Sequence, residues 1–384
     1  MILTIDESIP YWKEAFSGLG EIRPFSGRNP GKKAIADADA LIVRSITKVD
    51  ATLLEGSNVC FVASASAGID NIDLSYLRNQ GIGFGYAPGC NANAVSEYIV
   101  TALCVFAFRR GWNLRGKTLA VVGVGHVGTR VMQKGIAFGM KILLCDPPLR
   151  EQTGDMRYKD FEEVLEADFL TFHVPLVSNG IYPTHHMLNR KILDRLSPDQ
   201  VVINTSRGAV FDNKELKEAV REKTIEGAIL DVWEGEPQID YSLLKEIDIG
   251  TPHIAGSTLD GKIRATEMVC QALHDFFEIP SPWNGAFAFP EPETIWPEKD
   301  CTGQDAILSV LLKAYNILAD DENLRKLGSS DSLPEANAGF DLLRSTYRFR
   351  PEFHHFIVDL NKHCLQLAGI FKALGFQVRY DKVT

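Results

Sequence analysis

The stretch Leu119-Ala120-Val121-Val122-Gly123-Val124-Gly125-His126-Val127-Gly128 constrains the fold more than any other part of the chain. Its Val-rich start predicts a buried strand, and Thr129–Ala137 predicts a helix after it. Gly123 permits the sharp turn between them. Gly125, lacking a Cβ, lets an anion approach the backbone, and Gly128 lets the helix close on the strand. The unpaired N–H groups and positive dipole end of such a helix suit a pyrophosphate. A second strand, Lys141–Cys145, ends in Asp146. A carboxylate there can accept hydrogen bonds from the ribose hydroxyls of NAD and repel the extra phosphate of NADP. Asp146 also suits a cap before Pro147-Pro148; the strand–turn–helix–strand frame favours the cofactor role.

The rest of the chain, 384 residues in all, is too long for one ordinary core. Before the glycine turn, strands are expected at Ile2–Ile5, Ala40–Val43, Val59–Ala63 and Ile82–Tyr86, with helices at Pro10–Leu19 and Asn93–Phe108. After it, strands at Phe169–Val174, Val201–Thr205, Ala228–Val232 and Ile247–Thr251 alternate with helices at Phe161–Glu166, Lys191–Leu196 and Asn213–Glu222. Such alternation predicts parallel sheets. The Pro-rich stretch from Pro280 to Pro297 reads as a linker. Beyond it, helices at Asp305–Ala319 and Asn361–Ala373 and a strand at Phe376–Tyr380 predict a smaller domain of mixed type.

A net charge of −10 argues against a general nucleic-acid surface but leaves room for a local basic pocket. The apolar run Tyr98–Phe108 is too short to span a bilayer, and Met1–Ile5 leads into Asp6-Glu7 without a signal-like core, so no membrane association is expected. Cysteines 60, 90, 104, 145, 270, 301 and 364 show no C-x-x-C spacing, and are read as reduced thiols of a cytoplasmic protein.

In parallel sheets ligands sit beyond the carboxyl ends of the strands. Arg207 follows one strand, Asp231 and Glu236 the next, and His253 a third. Singly these read as surface or loop residues. Together, behind the glycine turn, they suit oxidation of a 2-hydroxy acid. A guanidinium can hold the carboxylate, a histidine can take the hydroxyl proton, and an acid can orient the imidazole. His173 also ends a strand and is read as lining the cofactor side. Ser45 and the run Ser66-Ala67-Gly68 stand where an anionic substrate could bind, or where ordinary turns would place them. The pairs His185-His186 and His354-His355 are read as non-ligating, because neighbours on a helix do not share a face; no metal is expected. A substrate with a second anionic end would need further cations or a cluster of N–H groups. Arg44 is one candidate and the run Arg344, Arg348, Arg350 another, although the run also reads as a solvated face.

The glycine turn, Asp146, Ser206-Arg207-Gly208, Glu236-Pro237 and Pro252-His253-Ile254-Ala255-Gly256 together resemble the D-isomer-specific 2-hydroxyacid dehydrogenases over about residues 1 to 280. Val43-Arg44-Ser45, Ala87-Pro88-Gly89-Cys90-Asn91, Cys145-Asp146-Pro147-Pro148 and Asp320–Lys326 narrow the resemblance to members acting on a phosphorylated substrate. The resemblance implies two Rossmann-like doubly wound parallel-sheet α/β domains and a small C-terminal α+β dimerisation domain. The substrate domain would be discontinuous, at 1–93 and 257–280, with an NAD domain at 94–256 and the dimerisation domain at 281–384. It implies catalytic Arg207, Glu236 and His253. Cofactor contacts would lie at Asp146, Val174, Asp231 and Gly256, with His126, Val127, Pro175, Thr205 and Ser206 in the same loops. Substrate contacts would lie at Ser45, Ser66 and Ser257, beside Arg44, Ala67 and Gly68. The implied reaction is NAD-dependent oxidation of 4-phospho-D-erythronate to 2-oxo-3-hydroxy-4-phosphobutanoate, in vitamin B6 synthesis, by a homodimer. Oxidation of another phosphorylated 2-hydroxy acid, such as 3-phosphoglycerate, is the nearest rival, and an NAD-responsive corepressor-like binding protein a more distant one.

Overall fold

The computed structural model describes residues 1–280, 283, 291–298, 302–329, 332–348 and 350–380. The chain packs as two compact units, Met1–Asn91 with Thr258–Pro290, and Ala92–Ser257 with Glu291–Thr384.

The first unit holds a parallel sheet of β1 (Ile2–Asp6), β2 (Glu21–Phe25), β3 (Ala40–Val43), β4 (Phe61–Ser64) and β5 (Gly83–Tyr86), in the order β2-β1-β3-β4-β5. Every residue of β3 and β4 is buried, the pattern of a sheet covered on both faces. Leu3, Ile5 and Ile42 pack on one side against Val269 and Leu273 of the Leu259–Phe276 helix. Leu41, Val43 and Val62 pack on the other with Ile35 and Leu77. The helix expected over Pro10–Leu19 shrinks to Trp12–Ala15. Tyr11 before it has φ 58, and Gly18 and Gly20 after it have positive φ, so the chain turns left-handed on both sides.

The second unit holds β6 (Thr118–Val122), β7 (Lys141–Cys145), β8 (Phe169–Phe172), β9 (Val201–Asn204), β10 (Gly227–Leu230) and β11 (Ile249–Gly250), all parallel, in the order β11-β10-β9-β8-β6-β7. The order reverses at β6, which places a crevice outside its carboxyl end. The Ala92–Arg110 helix covers one face against Leu119, Val121 and Ile203. It contains the run read as too short to span a bilayer. The whole helix passes that test by length and composition, yet 83 % of the tested window is buried in this core, as expected of a core helix apolar all round.

A third parallel sheet, β12 (Glu293–Ile295), β13 (Phe356–Leu360) and β14 (Gln377–Tyr380), belongs to the same unit. Ile295, Phe356 and Val358 share the core of the Ala92–Arg110 helix. Strand β12 falls inside the stretch read as a linker; Ser281, Pro282 and residues 284–290 of that stretch lie outside the described residues. The single helix expected over Asp305–Ala319 is two, Gly303–Ala314 and Ile317–Leu327. Asn316 interrupts it because its side chain accepts from the Ala319 N–H and starts a new helix. The helix expected over Asn361–Ala373 is confined to Ala368–Leu374, behind a 3₁₀ turn at Leu365–Leu367. Cys60, Cys104, Cys145 and Cys270 are free thiols; Cys301 lies outside the described residues.

Candidate active site

The glycine turn follows the carboxyl end of β6. Gly123 has φ +88, and a Cβ there would come within 2.8 Å of the His173 carbonyl. A Cβ on Gly128 would come within 2.1 Å of the Gly123 oxygen, so the helix His126–Ala137 closes on the turn only with hydrogen at that position. A Cβ on Gly125 would stand in open space, and no side chain caps the helix. Gly125 and His126 are exposed and Val127 is half-buried. The Asp146 carboxylate accepts from the Val124 N–H at 2.8 Å and the Leu149 N–H at 3.0 Å. It therefore caps the helix Pro147–Thr153 and ties that helix to the glycine turn.

His173 lies beyond β8. Its Nε2 is 3.0 Å from Thr171 Oγ1 and its Nδ1 is 3.4 Å from Thr205 Oγ1. Burial pushes its pKa down to about 3, so the ring is neutral near pH 7. Val174 lies against Gly123, and Pro175 is exposed.

Beyond β9 the chain turns at Asn204. This fully buried amide accepts from the backbone N–H of Ser206 (3.0 Å) and its hydroxyl (2.9 Å), and donates to the Arg207 carbonyl (2.9 Å). The Ser206 hydroxyl is thus engaged inside the turn. Arg207 Nη1 donates to the Ser206 carbonyl at 2.8 Å. A Cβ on Gly208 would come within 1.9 Å of the Trp233 oxygen. The Arg207 turn is therefore pressed directly onto the loop that carries Glu236.

Beyond β10, the Asp231 carboxylate is 1 % exposed and accepts from Thr251 Oγ1 (2.7 Å) and from the N–H groups of Ile254 (2.8 Å) and Ala255 (2.9 Å). It holds the 251–255 loop from beneath. In that loop His253 adopts φ 57, and its N–H donates to the Asp231 carbonyl at 2.7 Å. This leaves His253 Nδ1 2.8 Å from Glu236 Oε2, while Glu236 Oε1 accepts from the Trp233 N–H at 2.9 Å. Burial works to raise the Glu236 pKa. The charge and hydrogen bond of His253, then Arg344 and the Trp233 N–H, outweigh it and hold the carboxyl below its ordinary range. Gly256 and Ser257 follow, half-buried, with the Ser257 N–H on the Ile254 carbonyl at 2.8 Å.

In the first unit, Arg44, Ser45 and Ser66–Gly68 stand at the carboxyl ends of β3 and β4. Arg44 Nε donates to buried Asp6 at 2.7 Å, and Ser45 is exposed. Ser66 Oγ lies 2.8 Å from Ser64 Oγ and donates to the Gly68 carbonyl at 2.8 Å, which shapes the bend through Ala67. Lys262, passed over in the sequence, is pushed down to about 8 by burial, with the Arg44 charge adding to it.

Other roles were not legible: Asn204 was not singled out, and Arg344 was read only as a candidate phosphate ligand or a solvated residue. Asn204 and Arg344 bear on Arg207 and Glu236 through packing that no motif announces. Arg350, read with Arg344 as part of a basic run, is no solvated residue: it is buried, with Nη1 3.3 Å from Glu97. His185 and His186 are not helical; His186 has φ 48, and the two rings stack 4.1 Å apart. With Glu234 they bring metal-capable atoms within 4.8 Å of one another, contrary to the expectation from helix geometry. However, His186 Nε2 is 2.6 Å from Glu234 and its Nδ1 is 3.5 Å from Asp212, so both ring nitrogens have partners within the protein.

The profile described as "D-isomer specific 2-hydroxyacid dehydrogenase, NAD binding domain" matches residues 105–255, and a "Domain of unknown function (DUF3410)" matches residues 290–375. The chain is 40 % identical to the erythronate-4-phosphate dehydrogenase of Cronobacter sakazakii, covering 100 % of both chains, and 41 % identical to that of Escherichia fergusonii, covering 98 % of both. Among solved structures it is similar to D-lactate dehydrogenase from Aquifex aeolicus in complex with NAD and lactic acid (TM-score 0.60, 25 % identity, 72 % of this chain and 96 % of the other). It is also similar to NAD⁺-bound 3-phosphoglycerate dehydrogenase of Entamoeba histolytica (TM-score 0.60, 27 % identity, 72 % and 95 %). The chain belongs to the D-isomer-specific 2-hydroxyacid dehydrogenases and, within them, to the family of the erythronate-4-phosphate dehydrogenases.

Proposed function

We propose that the protein oxidises the C2 hydroxyl of 4-phospho-D-erythronate to give 2-oxo-3-hydroxy-4-phosphobutanoate, a step towards vitamin B6. The observation that carries this reading is the His253–Glu236 pair, 2.8 Å apart at the carboxyl ends of the sheet that bears the glycine turn, in a chain about 40 % identical over its full length to enzymes named for that reaction. The residues present fit NAD: Gly125 is open where a pyrophosphate would lie, the helix behind it is uncapped, and Asp146 is tied to the turn. When bound, NAD accepts the hydride that leaves C2.

The chain's own residues do the rest. Glu236 accepts the Nδ1 proton of His253, which leaves Nε2 to take the hydroxyl proton; such transfer contributes ~10²–10⁴-fold. Arg207 holds the substrate carboxylate, with its turn set by Asn204. Asp231 positions the His253 loop. Arg44, Ser45, Ser66, Ala67, Gly68 and Ser257 serve the substrate, and His126, Val127, His173, Val174, Pro175, Thr205, Ser206 and Gly256 line the cofactor. The protein works in the cytoplasm as a homodimer, with residues 281–384 as its dimerisation domain beside a substrate domain (1–93 and 257–280) and an NAD domain (94–256).

Purified protein and NAD, offered 4-phospho-D-erythronate, 3-phosphoglycerate and unphosphorylated D-erythronate, test this directly. The highest kcat/KM is expected with 4-phospho-D-erythronate; a higher value with 3-phosphoglycerate, or no turnover with any, overturns the assignment.

A further inference from the structure

The C-terminal segment touches the acid–base pair. Arg344, in the helix Leu333–Ser345, has Nη1 3.5 Å from Glu236 Oε2, the same oxygen that meets His253 Nδ1 at 2.8 Å. The guanidinium carbon sits 5.9 Å over the ring of Phe340, one helical turn back, and Phe340 is fully buried. The arginine is therefore braced from the core rather than free to swing. Arg350, from the same segment, donates from Nη2 to the carbonyl of Ala255, two residues beyond His253. One carboxylate oxygen thus meets both a guanidinium and the imidazole in a half-buried setting, and the loop carrying the imidazole is pinned by a second arginine.

We infer that Arg344 is a positioning residue for the oxidation, fixing Glu236 and sharing its charge with His253. This rests on the reading of His253 as the base. Among the described residues, charged groups facing His253 include Glu236 in its own hydrogen bond, Asp231 beneath the loop, and Arg344 across Glu236. The two acids favour the imidazolium, and Arg344 opposes it. An imidazole that has taken the hydroxyl proton must give it up before the next turnover. Arg344 draws on the carboxylate that would otherwise hold that charge, and so eases release of the proton.

The test compares R344Q and R344K with the unaltered protein in the pH profile of kcat/KM for oxidation. In R344Q the acid limb is expected to move to higher pH by about half a unit to one unit, with lowered kcat and a nearly unchanged KM for the phosphorylated substrate. R344K should return the limb towards its original position. An unmoved limb in R344Q overturns the inference, as does a loss confined to the KM of the phosphorylated substrate, which would make Arg344 a phosphate ligand instead. R344M keeps the stem over Phe340 and replaces R344Q should the amide unfold the helix. H253A, assayed alongside, separates the two readings. Retained turnover there removes His253 from its role, whereas an inactive H253A with an unmoved R344Q limb overturns Arg344 alone.

Discussion

Both units are built on parallel sheets whose strands run out into loops of small and polar residues, five strands in the first and six in the larger sheet of the second. At the strand ends of the first, Ser66 bonds to Ser64 and Gly68, Arg44 pairs with Asp6, and residues 1–91 contain no histidine. At those of the second, buried Asn204 and Asp231 spend their hydrogen bonds on holding Arg207 and His253 in place, and Glu236 meets the imidazole. The first unit offers hydroxyls and a cation, which can bind an anion. The second offers a proton acceptor, an orienting acid and an open glycine turn, which can support hydride and proton transfer. On the proposed reading, the same architecture carries binding in one case and chemistry in the other. The difference lies in which buried polar groups support the loop, not in the sheet.

The sharpest way to break this comparison is at the glycines of the second unit. Gly128→Ala forces a Cβ to within 2.1 Å of a carbonyl oxygen. It is expected to cost about 3 kcal/mol or more in chemical denaturation. Gly125→Ala meets nothing. It should change stability by less than about 1 kcal/mol while weakening NAD binding in calorimetry. Equal stability losses would show that the turn is merely structural.

Much of this was legible beforehand. β3 was bounded correctly from its apolar run alone, because a strand covered on both faces has few polar residues to blur its ends. Gly123 and Gly128 make the sharp turn and the close helix approach that their spacing implied, since the demands on them are local. The breaks at Tyr11 and Asn316 were missed because apolar periodicity continues through them. The helix assumed for His185 and His186 is absent, because His186 takes a positive φ that cannot be read from a histidine. Arg344 on Glu236 joins residues more than a hundred positions apart through packing, and no spacing rule reaches that far.

A smaller effect separates the units by pH. His173 is held neutral by burial, with a folded pKa of about 3 against 6.5 for the free side chain. As pH falls below 6.5 the unfolded chain takes up this proton and the folded one does not. Its contribution is therefore fully present above pH 6.5 and is lost as pH falls towards 3. Between pH 6.5 and 5 the loss is at most about 2 kcal/mol. His173→Asn should flatten that part of the stability profile in thermal unfolding; an unchanged slope would place the ring in contact with solvent.

The smallest effect is expected in the first unit. Ser66→Ala removes one hydroxyl from a bend that the backbone also supports. KM for the phosphorylated substrate should rise by no more than about fivefold, the worth of roughly 1 kcal/mol of hydrogen bonding, with kcat unchanged. A fall in kcat alone would put chemistry at the wrong sheet.

The central claim is that His253, set by Asp231 and Glu236, moves the proton while the glycine turn separately holds the cofactor. His253→Ala, measured for both NAD affinity and turnover on one preparation, tests it most directly. The account predicts unaltered NAD binding with turnover down by ~10²–10⁴-fold. Near-normal turnover, or NAD binding lost together with activity, would contradict it.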